Sequence, residues 1–167
     1  MREEIRIEAS PESVYDTVTD LGRSAEWSVE CTGGTWVSGE PRTVGAVFRG
    51  DNVRGTEAVA WAPVIRGNWR TESEVVEADP GRAFRWVIRN SAGGKQDSVW
   101  SFEIEPAGDG CVLVHGYRLG RLTEGLAKIF EGLSPEEQKR FVVDWNAKLA
   151  ADVAITLRRI KDAVERN

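Results

Sequence analysis

Histidine is almost missing from this chain. His115 is the one example among 167 residues, so a zinc site built from several imidazoles is excluded. Cysteine is nearly as scarce. Cys31 and Cys111 have no metal-ligand spacing and make no disulfide framework. No metal and no cofactor are expected. Long apolar runs are lacking as well, and nothing approaches the roughly 20 residues that a membrane-spanning helix requires. A concentrated basic face is lacking too. The net charge is −5, and the one dense basic group, Arg158, Arg159 and Lys161, lies near the end of an expected helix, where cations oppose the macrodipole. Nucleic acid is therefore not an expected partner. Met1-Arg2-Glu3-Glu4 leads straight into an alternating segment rather than a secretory leader, which makes the cytoplasm the default location. Ser28, Ser73 and Ser101 carry no motif and no identifiable base, so a hydrolase triad is unsupported.

What is present is a globular balance, 41% hydrophobic and 29% charged residues, in one expected domain spanning 1–167. Seven tryptophans stand out, because large rings either fill cores or line apolar ligand pockets. Residues 4–9 alternate charged and apolar positions and predict a strand with one buried face. Ser10-Pro11-Glu12 then reads as a helix start, with Val14, Tyr15, Val18 and Leu21 as the apolar stripe and a short second helix over 23–27. Strands follow at 35–38, 46–54, 68–77, 83–90, 96–105 and 111–119, joined by Gly-, Pro-, Asp- and Asn-rich turns. Turns this short make an antiparallel meander. Gly50, Asp51 and Asn52 interrupt the second of these and suggest a bulge or a close backbone approach.

The last third changes period. Leu122, Leu126, Ile129, Phe130 and Leu133 recur at helical spacing. Ser134-Pro135-Glu136-Glu137 is a capping box. Val142, Trp145, Leu149, Val153, Leu157, Ile160 and Val164 then mark one face of a long helix. The expected class is α+β: a curved antiparallel sheet of about six or seven strands around a long C-terminal helix, with two short helices after strand 1. A single helix cannot fill a bowl of that width, so a hollow interior is expected.

The order of these pieces resembles the START-related helix-grip superfamily, in particular its bacterial polyketide cyclase/dehydrase-like branch. The matching segments are 4–15, Asp20 with Trp27, 45–55, Trp69-Arg70-Thr71, 75–84, 100–106 and 110–117. The segments 56–67 and 120–133 look like additions to that pattern. The resemblance implies a cavity between sheet and helix and places the glycine-interrupted strand beside it. Phe48, Asn52, Arg54, Trp69, Thr71, Trp86, Trp100, Phe102, Leu113, Trp145 and Leu149 are the expected ligand-binding residues.

Two chemistries are open. The first is binding of a small hydrophobic or aromatic metabolite. The second is a cyclase or dehydratase, in which His115 would move protons while Tyr117 or Arg49 stabilises enolate charge. Both need the face of the last strand that carries Leu113, His115 and Tyr117 to point inward, and a slip of one residue would turn it outward. A third reading, a protein-interaction module, would begin with a homodimer.

Overall fold

A computed structural model describes residues 1–166. The elements run β1 (Arg2–Ile7), α1 (Pro11–Thr19), a 3-10 helix (Leu21–Glu26), β2 (Cys31–Ser38), β3 (Val47–Arg54), β4 (Gly67–Asp79), β5 (Ala83–Arg89), β6 (Lys95–Ala107), β7 (Gly110–Arg118), α2 (Glu124–Glu131) and α3 (Pro135–Glu165). The strands form one curved antiparallel sheet of seven in the order β1-β7-β6-β5-β4-β3-β2. It is a helix-grip arrangement. α3 packs on β1, β7, α1 and the 3-10 helix, while α1 covers parts of β5, β6 and β7.

The helices begin where the sequence puts capping groups. Ser10 Oγ accepts from the Ser13 amide at 3.2 Å, with Pro11 at the first position. At α3 the Ser134 amide donates to Glu137 at 2.8 Å while Ser134 Oγ accepts from the Glu137 amide at 3.3 Å. Both halves of the box are made. Four donors at each helix start otherwise lack partners.

Three expectations about the elements need correction. β2 begins at Cys31, not Thr35. Its pairing with β3 is irregular between Cys31 and Gly33, and a Cβ at Gly34 would stand 2.1 Å from the Arg49 carbonyl oxygen. The irregularity expected at Gly50–Asn52 thus lies in their pairing with β2, which carries the extra residue, while β3 pairs with β4 without interruption from Val47 to Arg54. β6 continues through Pro106 to Ala107 instead of turning there. Its last pair with β5 is Ala83↔Glu103, so the proline sits where only β7 still flanks the strand and one row of donors is not needed. On α3 the buried residue of the first turns is Phe141, 1% exposed, whereas Val142 is 45% exposed. Phe141 and Trp145 lie one helical turn apart and their rings stack with centroids 5.5 Å apart, so the stripe begins at Phe141 and runs on through Trp145, Leu149 and Val153 as expected.

Two separate apolar clusters result. The larger joins Ile7, Val14, Val18, Phe84, Phe102 and Leu113 to Val153, Leu157 and Ile160 of α3. Each such aliphatic side chain contributes about 1.5–3 kcal/mol on burial. The smaller consists of Ala62, Val64 and Phe141, with Trp61, Leu126, Ile129 and Trp145 packed on it. It joins the first half of α3 to the two segments that look like additions, 56–67 and 120–133. The first is gathered around Arg66, whose guanidinium donates to the carbonyls of Thr56, Ala58, Val59, Ala62 and Val64.

Candidate functional site

Alternation decides which side chains meet the helices. Tyr117 pairs with Trp100 and Trp100 with Trp86 in register, so these rings form a row across β7, β6 and β5 on the face that also carries Leu113, Phe102 and Phe84. The row is continuous. Trp86 stacks on Trp100 at 6.4 Å, and Tyr117 lies 4.5 Å from Trp100, centroid to centroid. Trp27 meets Phe102 edge-on at 5.9 Å from the helical side. At the level of Phe102 the interior is therefore packed, which corrects the expectation of a bowl hollow throughout.

Incomplete cover begins beyond that level. Phe84, Phe102 and Leu113 are 0% exposed, but Trp86, Ile88, Trp100 and Tyr117 on the same face are only half-buried. They point toward the end of the sheet where β3, β5 and β7 finish. α2 spans this end. Its start is tied to the β5–β6 hairpin: Glu124 accepts from the Ser91 amide at 2.8 Å and from Ser91 Oγ at 2.6 Å, and its own amide donates to Gln96 at 2.6 Å. The Ser91 hydroxyl, then its amide, hold the Glu124 carboxyl down to about 2.

His115 does face inward. Its ring stacks on Phe102 at 4.3 Å and lies 5.5 Å from Trp100. Nδ1 stands 2.9 Å from the Ser101 carbonyl oxygen. A carbonyl can only accept, so Nδ1 carries the proton and Nε2 the lone pair. Burial pushes the imidazole down to about 4 against the raising effect of the Ser101 bond. Such a ring is neutral at pH 7 and a weak base there.

A second group stands apart from the ring row. Arg54 is on the inner face, with its guanidinium 4.5 Å from the Trp69 ring and 5.1 Å from the Trp145 ring. Its Nε and Nη2 donate to the two oxygens of Glu30, each at 2.8 Å. Lys148 also donates to Glu30 and lies 2.6 Å from Asp152. Burial would raise the Glu30 carboxyl, but the bonds from Arg54 and Lys148 outweigh it and hold the group below its usual range. Asn52 donates to the Gly50 carbonyl at 3.1 Å and to Thr71 Oγ1 at 3.3 Å. The buried indole N–H of Trp69 has no partner.

Arg49 belongs elsewhere. Its parity is opposite to that of Asn52 and Arg54, so it points to the outer face and pairs with Glu72 at 3.0 Å. The structure thus brings Trp86, Trp100, Phe102, Leu113, His115 and Tyr117 together, and separately Asn52, Arg54, Trp69, Thr71 and Trp145. Phe48 is in the packed core, with its ring 5.4 Å from Trp36. Leu149 is buried on α3. Glu30, Lys148 and Asp152 escaped notice in the sequence. Lys148 and Asp152 have the i,i+4 spacing of a helix pair, but nothing local marks Glu30.

Two concavities of the described residues are bordered by neither Trp86 nor Trp100, though the second reaches Tyr117. One of about 480 Å³ flanks the ion network, between Val29, Glu30, Val53 and Arg54 on one side and Lys148 and Asp152 on the other. Another of about 660 Å³ lies on the outer face, over Val76, Val99, Ser101, Val114 and Gly116. Among the described residues no group of three or more His, Cys, Asp or Glu could hold a metal ion, and no helix is long and apolar enough to cross a membrane.

A curved sheet gripping one long helix, with aromatic side chains on the inner face, defines a helix-grip protein. The chain belongs to the family described as polyketide cyclase/dehydrase and lipid transport, whose profile matches residues 1–165. It is similar to the solution structure of the polyketide-cyclase-like protein Cgl2372 from Corynebacterium glutamicum, with 28% identity, TM-score 0.61, and 99% of this chain and 90% of that one covered. It shares the fold of the di-domain aromatase/cyclase StfQ of the steffimycin biosynthetic pathway, at 14% identity and TM-score 0.69, with 99% of this chain covering 50% of that one. The corresponding protein BexL of the BE-7585A pathway gives 18% identity and TM-score 0.71, over 99% of this chain and 49% of that one. The chain thus spans about half the length of those two proteins. No curated protein matches it.

Proposed function

We propose that this protein binds a small, flat, largely apolar molecule between the inner ring row and the cover made by α2 and the first half of α3. One observation carries the reading: Trp86, Trp100 and Tyr117 face inward yet keep part of their surface uncovered, while the rings next to them at Phe84 and Phe102 keep none. Leaving large apolar surface open has a cost that a ligand would remove. Trp69, Thr71, Asn52, Arg54 and Trp145 would form the flank, with Phe102, Leu113, Phe48 and Leu149 behind as the packed support. Titrating the protein with 2-naphthol should quench tryptophan emission to saturation, and Trp100→Ala should weaken that response by about tenfold or more. An unsaturable response identical in the variant would overturn the proposal.

The second reading is a cyclase or dehydratase in the same place. It is favoured by the family and by His115, whose Nε2 lone pair sits in a cluster of rings. The imidazole held near 4 argues for binding over proton transfer at neutral pH. Under the catalytic reading His115→Phe would abolish turnover and spare affinity. The cytoplasm is the compartment that fits either reading, and a second copy of the chain is the first protein partner to test.

A further inference from the structure

We infer that the site selects an uncharged ligand carrying a neutral oxygen, and that Glu30 sets this preference by cancelling the charge of Arg54. The inference rests on the binding reading above and narrows it to one chemical class.

The cations beside the site are already committed. The edge of the Arg54 guanidinium is held by both oxygens of Glu30, and the Trp69 and Trp145 rings lie against it at 4.5 and 5.1 Å. Its remaining described bond goes to the Ile65 carbonyl at 3.2 Å. Lys148 is shared between Glu30 and Asp152. Arg66 turns into its own loop onto five carbonyls. Arg49 points to the opposite face and pairs with Glu72. The imidazole of His115 is neutral for want of solvation. An entering carboxylate would give up its hydration and find no free cation among the described residues of the wall, which is an unfavourable exchange. A neutral aromatic gives up far less.

The polar groups still available suit a neutral oxygen. The buried Trp69 indole N–H has no acceptor, and burying a donor unpaired is costly. A carbonyl or phenolic oxygen would satisfy it. Asn52 is oriented beside it by its bonds to Gly50 and Thr71, with its amide oxygen left as an acceptor. This geometry is that of a polar foot on a mainly apolar wall.

The experiment compares 2-naphthol with 2-naphthoate by tryptophan quenching at pH 7.5, where the first is neutral and the second an anion. The wild-type protein should bind the naphthol more tightly by about tenfold or more. In Glu30→Gln the guanidinium of Arg54 loses its counter-charge, and the ratio should fall to unity or reverse, because an unpaired guanidinium is a strong carboxylate receptor. The double variant Glu30→Gln/Arg54→Met should restore the preference for naphthol, an outcome that a merely structural role for Glu30 would not produce. Equal or tighter binding of naphthoate by the wild-type protein overturns the inference and leaves the binding reading standing. A folded Glu30→Gln protein with an unchanged ratio removes Glu30 from the selection. Failure of both compounds to bind the wild-type protein sinks the binding reading itself, and the inference with it. If Glu30→Gln does not fold, the wild-type ratio still decides the preference for a neutral ligand, and Glu30→Gln/Arg54→Met against Arg54→Met alone decides the part of Glu30. Removing Arg54 should leave the naphthol preference independent of residue 30, and a dependence that persists overturns the assignment.

Discussion

The two ends of this molecule solve the same packing problem differently. Where α1 and the second half of α3 meet the sheet, the apolar face is fully covered, and Val153, Leu157, Ile160 and Val164 are all buried. Toward the hairpin ends, α3 buries only Phe141 and Leu149, leaves Val142 and Val143 exposed, and relies on α2 and the 56–66 loop for cover. α2 itself buries no residue fully. The lesson is that one amphipathic helix can be core at one end and roof at the other. Stability concentrates at the first end, and the apolar surface available to a guest at the second.

The sharpest break of that comparison comes from truncating one ring at each level. Phe102→Ala should destabilise the fold by about 3–5 kcal/mol in urea titrations, whereas Trp100→Ala, on the adjacent row, should cost under about 2 kcal/mol. Equal losses would erase the distinction between core and site. The pH dependence is the next test. The imidazole of His115 is depressed to about 4 from an unfolded value near 6.5. The unfolded chain therefore binds more protons between those values, and stability rises with pH across that window. The contribution is full above about pH 6.5 and is lost as pH falls through about 4, a span worth about 3 kcal/mol. In a pH series of melts the wild-type protein should lose stability between about pH 6.5 and 4 with a slope that His115→Gln lacks, the two curves running parallel outside that window. The smallest effect belongs to the roof. With Glu124 held down to about 2, its tie to Ser91 is complete above the usual carboxylate range and is lost only as pH falls toward 2. Glu124→Gln should speed amide exchange in α2 at neutral pH while leaving the global denaturation midpoint unchanged. A shifted midpoint would show that the roof is part of the core.

Much of the site was legible because strands have period two. That Trp69 shares a face with Thr71, Trp86 with Phe84, Trp100 with Phe102, and His115 with Tyr117 follows from alternation, which also assigns Arg49 to the opposite face from Asn52 and Arg54; which face looks inward came from the structure. The expectation that Arg49 serves the site overlooked this parity. Phe141 was hidden for a different reason. The apolar run Phe141-Val142-Val143 offers three phases for one stripe, and only the ring stacked against Trp145 selects among them. Glu30 lay beyond reach altogether. Its significance comes from Arg54 on another strand and Lys148 at the far end of the chain.

By itself the sequence determined the elements, their order, the capped starts of α1 and α3, and the parity that sorts strand residues onto two faces. These are local matters, set by dihedral preference and by short-range hydrogen bonds. The tertiary structure alone decided how far the interior fills, which end stays incompletely covered, and which carboxylate meets Arg54. Those outcomes depend on distances between segments remote in the chain, and no spacing along the chain encodes them.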